Sequence, residues 1–219
     1  MNDQIIGLLQ NGIYETFYMV ILSTLFAYLI GVPIGVILNV TSPTGIKPNR
    51  FVNLVLGFIT NVIRSVPFLI LLVAILPFTR IVVGTTIGSS ATVVPLVVAA
   101  APFVARLVES SLKEVDAGVV EAAKAMGSST WQIIRKVLLP EAKPALLVGG
   151  VIAFATILGY SAMAGFVGGG GLGAIAVNYG YYRYKTDVML ITVAILVIIV
   201  QVFQELGFFI VNRLDKRIK

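Results

Sequence analysis

The sequence has no cysteine and no histidine. Without cysteine there is neither a disulfide framework nor a thiolate metal site. Without histidine the commonest general base and the commonest metal ligand are missing together. Charge is scarce as well. Only 12% of the 219 residues are charged, against 58% hydrophobic, and the mean hydropathy is +0.99. A soluble domain carries roughly 25% charged residues, so this chain has too few to clothe a water-exposed surface. Acids number 10 against 16 Lys and Arg, a net charge of +6. In a membrane chain that excess reports orientation before it reports nucleic acid, and no nucleic-acid partner is expected. A G-x-x-x-x-G-K-[ST] phosphate loop is also absent. The N-terminal MNDQIIGLLQNGIYET has no basic run, and the apolar run after it is too long for the core of a signal peptide.

Long apolar stretches are what the chain does have. A helix needs about 20 such residues to cross the ~30 Å hydrocarbon layer. Stretches at about 16–40, 51–78, 90–108, 145–166 and 188–211 qualify, with a charged connection at about 113–141. The second contains Arg64, the third is weakened by Pro95 and Pro102, and the fifth holds Glu205 near its end. Backbone facing lipid must bond within its own segment, so the stretches are helices. The expected fold is all-α and integral to the membrane, with five transmembrane helices in one domain over 1–219.

The basic residues orient these spans. Asp3 and Glu15 precede the first span with no Lys or Arg. Lys47 and Arg50 follow it. Arg106, Lys113, Lys124, Arg135, Lys136 and Lys143 lie between the third and fourth, and Arg213, Lys216, Arg217 and Lys219 form the tail. By the positive-inside rule these connections are cytoplasmic, the N-terminus is outside and the C-terminus inside. Tyr179, Tyr181, Tyr182 and Tyr184 then cluster at the outer surface beside Arg183 and Lys185. They read as an interfacial aromatic belt or as a docking surface for an external partner.

Residues 121–140, EAAKAMGSSTWQIIRKVLLP, interrupt the apolar pattern. Asp116 is placed to cap a helix from about Ala117 to Met126. Gly127 sits where a helix ends in a left-handed residue. Ser129 and Gln132 have capping-box spacing for a second helix. Trp131, Ile134, Val137 and Leu138 recur at helical spacing as its apolar face. Pro140 and Pro144 close the segment. The second helix is suited to lie on the membrane or on its own bundle. The alanines of the first offer instead a small, smooth surface on which another protein's groove can close.

The spacing resembles the EAA motif of ABC importer permeases. Glu121-Ala122-Ala123 is followed after three residues by Gly127, and after nine more by Val137, with Leu139 and Pro140 behind it and Val in place of the usual Ile. Arg64-Ser65-Val66-Pro67-Phe68, Pro77-Phe78-Thr79-Arg80, Ala101-Pro102-Phe103-Val104-Ala105-Arg106 and Gly159-Tyr160-Ser161-Ala162-Met163 are similar to the permease subunits of methionine importers. The resemblance implies the type I importer fold in a bacterial inner membrane. It implies that Glu121, Ala122, Ala123, Ala125, Gly127 and Ser128 form a coupling helix gripped by a cytoplasmic ATPase. It implies a homodimer with two ATPase subunits, and an external solute-binding lipoprotein that delivers methionine. Each permease is in contact with membrane lipid. Cofactors are expected on the partner alone, which would bind ATP and Mg, so this chain is not an enzyme. Tyr160, Ser161 and Met163 become candidates for the solute path, Met163 because a thioether adapts to apolar ligands. Ordinary packing is the other reading of these three.

Other solutes fit the same architecture: another amino acid, an osmoprotectant or a phosphonate. A proton-driven secondary transporter fits less well, because the deep spans lack the acids that relay protons. The run Gly168-Gly169-Gly170-Gly171-Leu172-Gly173 contains G-x-G-x-x-G, but it follows a span rather than a strand, so a tight outer re-entrant turn is expected instead of a dinucleotide site. Gly31 and Gly35 form a G-x-x-x-G, which predicts close helix packing. Arg64 either snorkels to the inner surface or faces a partner or water.

Overall fold

A computed structural model describes residues 3–214, and the tail residues Lys216, Arg217 and Lys219 lie outside them. The described residues are helical, with no strand. Helix α1 spans Asp3–Thr41, α5 Ser89–Lys113, α9 Lys143–Ala164 and α11 Thr186–Leu214. Each is long and apolar enough to cross a bilayer.

Helix α5 is the centre of the bundle. Leu96, Val104 and Ala105 on it are fully buried. It packs against α1, α9 and α2 (Arg50–Ser65), and shares its most extensive contact with α1. The prolines that make this stretch weak by sequence do not break it: both Pro95 and Pro102 lie inside the helix. Between packed spans, neighbouring helices and local adjustment can satisfy the backbone groups that a proline frees. The G-x-x-x-G of α1 faces this helix. A Cβ on Gly31 would stand 2.8 Å from the Ala101 carbonyl oxygen, and one on Gly35 would stand 2.5 Å from that of Ala105. The two backbones therefore touch, which only glycine permits.

The stretch expected as one span at 51–78 is not one helix. It breaks at Val66–Pro67, where α2 and α3 (Phe68–Ala74) meet at 103°, and again at Ile75 before α4 (Leu76–Val83). Proline disfavours helical backbone at the residue before it, and Val66 is extended with φ −82° and ψ 126°. Among the described residues four helices are long enough to span alone, and the bent pair makes a fifth if it is counted as one span. Arg106, counted by sequence both within the 90–108 stretch and among the basic residues after it, lies inside α5.

The glycine run folds the chain back on the end of α9. A Cβ on Gly173 would strike the Ala162 carbonyl. The following helix α10 (Gly171–Ile175) then packs on α1. There the Gly171 N–H donates to the Glu15 carboxylate at 2.6 Å, and the Leu172 N–H to the Thr16 hydroxyl at 2.9 Å. Two side chains of α1 thus satisfy donors that a helix start leaves open. A phosphate would find these amides already taken.

Candidate functional site

Helix α6 (Ala117–Ala125) begins where Asp116 accepts from the N–H groups of Gly118 (2.7 Å) and Val119 (3.3 Å). It ends in a Schellman motif. The Ser128 N–H donates to the Ala123 carbonyl at 3.1 Å, and the Gly127 N–H to that of Lys124 at 2.9 Å. Gly127 has φ +76°. This pair of bonds needs a left-handed residue at that position. Ser129 and Gln132 then form the reciprocal capping box that opens α7 (Thr130–Ile133).

Only one side of α6 rests on the bundle. Ala123 is buried in the main core, with Val120 packed against it. Glu121, Ala122, Ala125 and Gly127 are exposed, and Ser128 is half-buried. Glu121 and Lys124 line a cleft of about 240 Å³, lined also by Asn39 at the end of α1 and by Thr44 and Ile46 after it. Met126 is 79% exposed and Trp131 is 68% exposed.

Of the expected apolar face, Leu138 is buried and Ile134 and Val137 pack against the core, and Trp131 alone departs. The buried residues are Ile133, Leu138 and Ala142, and Trp131 points outward. The reason is a π-helical turn at Ile134–Leu138. A regular α-helix would put Ile133 and Leu138 about 140° apart around the axis. A π turn carries an extra residue, so side chains five apart come to one side. From there the backbone runs on without a loose joint. The short helix α8 (Leu139–Glu141) follows directly. The Ala142 N–H donates to the Leu138 carbonyl, and Leu146 in α9 donates to the Ala142 carbonyl, each at 2.9 Å. Helix α7 is thus joined to α9 by continuous helical hydrogen bonding.

Helix α9 leaves one face open. Ile152, Thr156, Gly159 and Met163, with Phe166 in the 3-10 turn after the helix, recur in alternating steps of four and three, the spacing of a helix–helix seam. Met163 is 45% exposed there. A Cβ on Gly159 would meet nothing. Tyr160 is half-buried beside the seam, its ring stacked on Phe68 at 4.6 Å and 4°. Ser161 is not on the seam. It is buried, and its hydroxyl donates to the Leu158 carbonyl at 2.8 Å. The structure thus puts Tyr160 and Met163 near one another on the open side, and turns Ser161 into the bundle.

The sequence reading missed a polar row along α2 and α5. Glu109 is buried, paired with Arg106 at 2.6 Å and Lys113 at 2.7 Å. Arg106 also donates to the Gly57 carbonyl at 3.1 Å and to Asn61 Oδ1 at 2.9 Å, which ties α2 to α5. The helical spacing of Arg106, Glu109 and Lys113 was a usable signal. The link to Asn61, far away in sequence, was not.

Comparison with known proteins bears on this arrangement. A probable D-methionine transport system permease protein, MetI, of Vibrio cholerae is 50% identical over 210 residues, covering 96% of this chain and 93% of its own. The D-methionine transport system permease protein MetI of Escherichia coli is 48% identical over 165 residues, 75% of this chain and 76% of its own. A chain of the MetNI methionine ABC transporter, solved in inward-facing conformations, superposes with a TM-score of 0.97 at 47% identity, covering 99% of this chain and 100% of that one. A chain from an amino acid ABC transporter shares the fold with a TM-score of 0.80 at 23% identity, over 96% of both chains. The family profile of binding-protein-dependent transport system inner membrane components matches residues 31–219. With its buried proline-containing span, its exposed helix pair and its open seam, the chain belongs to that family.

Proposed function

We infer that this chain is the permease subunit of an ATP-driven methionine importer and forms the transmembrane path by alternating access. The observation that carries this is the full-length correspondence with the methionine transporter chain. Two copies of the chain line the path between their α9 seams. Two cytoplasmic ATPases grip the α6 helices and bind the ATP and Mg; the chain itself hydrolyses nothing. The apolar side chains of Val119, Met126 and Trp131 support that docking, since an exposed apolar patch on a short helix pair marks a protein contact. Glu121, Ala122, Ala125, Gly127 and Ser128 shape the gripped surface, while Ala123 anchors it to the bundle. Closure of the ATPases moves α6, and the continuous helical path through α8 rotates α9. An external binding protein delivers the solute.

The deciding experiment is uptake. The chain, its ATPase and its binding protein, reconstituted in proteoliposomes, should accumulate labelled methionine, D or L, in preference to other amino acids, osmoprotectants and phosphonates. Preference for another solute would move the substrate and keep the architecture.

Orientation has its own test. A reporter active only outside the cytoplasm should work near Gly88 or Tyr179 and be silent near Ser128. Activity at Ser128 would invert the bundle and remove the ATPase from α6.

Met163 and Tyr160 are assigned to the gate, and Ser161 to its support. Met163→Ala removes a flexible, 45% exposed side chain from the open seam. The expected result is intact assembly with leakier closure: ATP hydrolysis less dependent on the loaded binding protein, and discrimination among solutes relaxed by about tenfold, the scale of a lost apolar contact. Unchanged uptake and selectivity in both Met163→Ala and Tyr160→Ala would make them packing residues.

A further inference from the structure

An apolar groove of about 450 Å³ lies between α1, α9 and α11. Phe154 of α9 and Phe203 of α11 line it, stacked with ring centroids 4.0 Å apart at 9°. Two glycines hollow it. A Cβ on Gly150 would stand 3.3 Å from the Tyr28 hydroxyl oxygen, and one on Gly207 would run into the Val151 side chain. The groove opens outward, since Leu206 and Ile210 in its wall are exposed.

The groove ends in charge. On α9 it is lined by Leu147, Gly150 and Phe154, and Lys143 continues that stripe one turn before Leu147. On α11 it is lined by Phe203, Leu206 and Ile210, and Arg213 continues that stripe past Ile210. Residues three or four apart share a helix face. Both cations are exposed, and no ion pair holds either among the described residues. From Lys143 to Phe154 is roughly 16 Å along the helix, and from Arg213 to Phe203 roughly 15 Å. Each is about half of the ~30 Å hydrocarbon layer. The groove is therefore one leaflet deep, apolar along its length and basic at one end, which is the outline of a phospholipid with an anionic head.

A second copy of the chain is the other occupant to consider, and the direction of the groove argues against it. Leu147, Gly150 and Phe154 precede the seam residues Thr156, Gly159 and Met163 by nine residues each. Nine residues make about two and a half turns, so the groove lies on the side of α9 opposite the seam.

We propose that this groove holds one anionic phospholipid, with an acyl chain between α9 and α11 and its phosphate between Lys143 and Arg213; the choice of lipid over a second copy rests on the reading of the α9 seam as the contact between copies. Basic pockets between spans attract anionic headgroups. The site adds one specifically held lipid to the bulk contact that any span makes.

The test uses the complex with its ATPase, stripped of lipid in neutral detergent. Phosphatidylglycerol carrying a photoactivatable group in its acyl chain is added at one molecule per permease chain, and the adducts are mapped by mass spectrometry. They should fall on the α9 and α11 residues that line the groove. Unlabelled phosphatidylglycerol should compete, and phosphatidylcholine should compete far less. Lys143→Gln combined with Arg213→Gln should lower the yield at least about tenfold, the scale of two lost surface cations, whereas Lys47→Gln should leave it unchanged. Ile210→Trp fills the groove from its exposed wall and should abolish the adducts. Ile198→Trp should not, because Ile198 is exposed nine residues before Gly207 and so on the opposite side of α11. The absence of cysteine allows a check on the second copy. A short bifunctional thiol reagent should link two copies through Gly159→Cys and not through Ile210→Cys. The proposal is overturned by adducts spread evenly over exposed apolar faces such as that of α2, by equal competition from phosphatidylcholine, by an undiminished yield in the double variant, or by linkage through Ile210→Cys, which would give the groove to the second copy. The expected adducts without linkage through Gly159→Cys would remove the seam reading and leave the lipid site standing.

Discussion

Gly127→Leu is expected to leave the chain inserted and paired, yet to separate ATP hydrolysis from uptake. The residue has φ +76°, and a Cβ there would touch nothing in the chain. The whole intrinsic cost is therefore conformational, ~1–2 kcal/mol for a side chain in left-handed backbone. That cost falls on the two bonds closing α6, from Ser128 to Ala123 and from Gly127 to Lys124. It does not reach the spans, which pack through α1, α5, α9 and α11. What it disturbs is the angle between α6 and α7, and a leucine would also protrude from the surface proposed to sit in the ATPase. A series separates the two effects. Gly127→Asn tolerates the left-handed conformation and should couple nearly normally. Gly127→Ala should lose part of the coupling, and Gly127→Leu most of it. The measurements are co-purification of the ATPase and the ratio of ATP hydrolysed to methionine transported in proteoliposomes. Normal values for Gly127→Leu would make the turn a passive linker.

Gly35→Leu should have the opposite profile and prevent a stable bundle from forming. A Cβ at this position would lie 2.5 Å from the Ala105 carbonyl oxygen and 2.7 Å from Val108 Cβ. The first of these neighbours is backbone and cannot swing aside, so α1 must part from α5 along their whole contact. Overpacking in a core costs typically ~1–3 kcal/mol, and forcing two backbones apart belongs at or above the top of that range. The measurement is thermal stability of the detergent-solubilised chain by size-exclusion chromatography. Gly35→Leu should aggregate, and Gly35→Ala should melt well below the unaltered chain. Gly7→Ala, where a Cβ meets nothing within 4 Å, should be indistinguishable from it. Equal stability of Gly35→Leu would mean that α1 is loosely held and that its contact with α5 is not what closes the bundle.

The two glycines show how unevenly the site and the fold could be read in advance. Gly127 was legible because everything that defines it is local: an Asp cap before the helix, a capping box after it and a glycine between. The G-x-x-x-G of α1 announced close packing, but nothing in it named α5 as the partner. The bend in the second apolar stretch was written in Val66-Pro67, yet hydropathy reads through a proline and returned one span. Trp131 was misassigned because a π turn shifts the helical phase by one residue, and no local composition marks where such a turn falls. Ser161 read as part of the path from its neighbours alone, whereas its position on α9 turns it inward.

By itself the sequence determined the solvent of this protein, its helical class and the shape of the helix proposed to dock. These follow from composition, from the length of apolar stretches and from capping residues within a few positions of one another, and all such forces act locally along the chain. Only the tertiary structure decided which face of each helix is used. It paired Glu15 with the amide of Gly171, brought Arg106 to Asn61, and set Phe68 on Tyr160. Each of these depends on how helices distant in sequence cross, and crossing is settled by side-chain packing between them, which no single segment encodes.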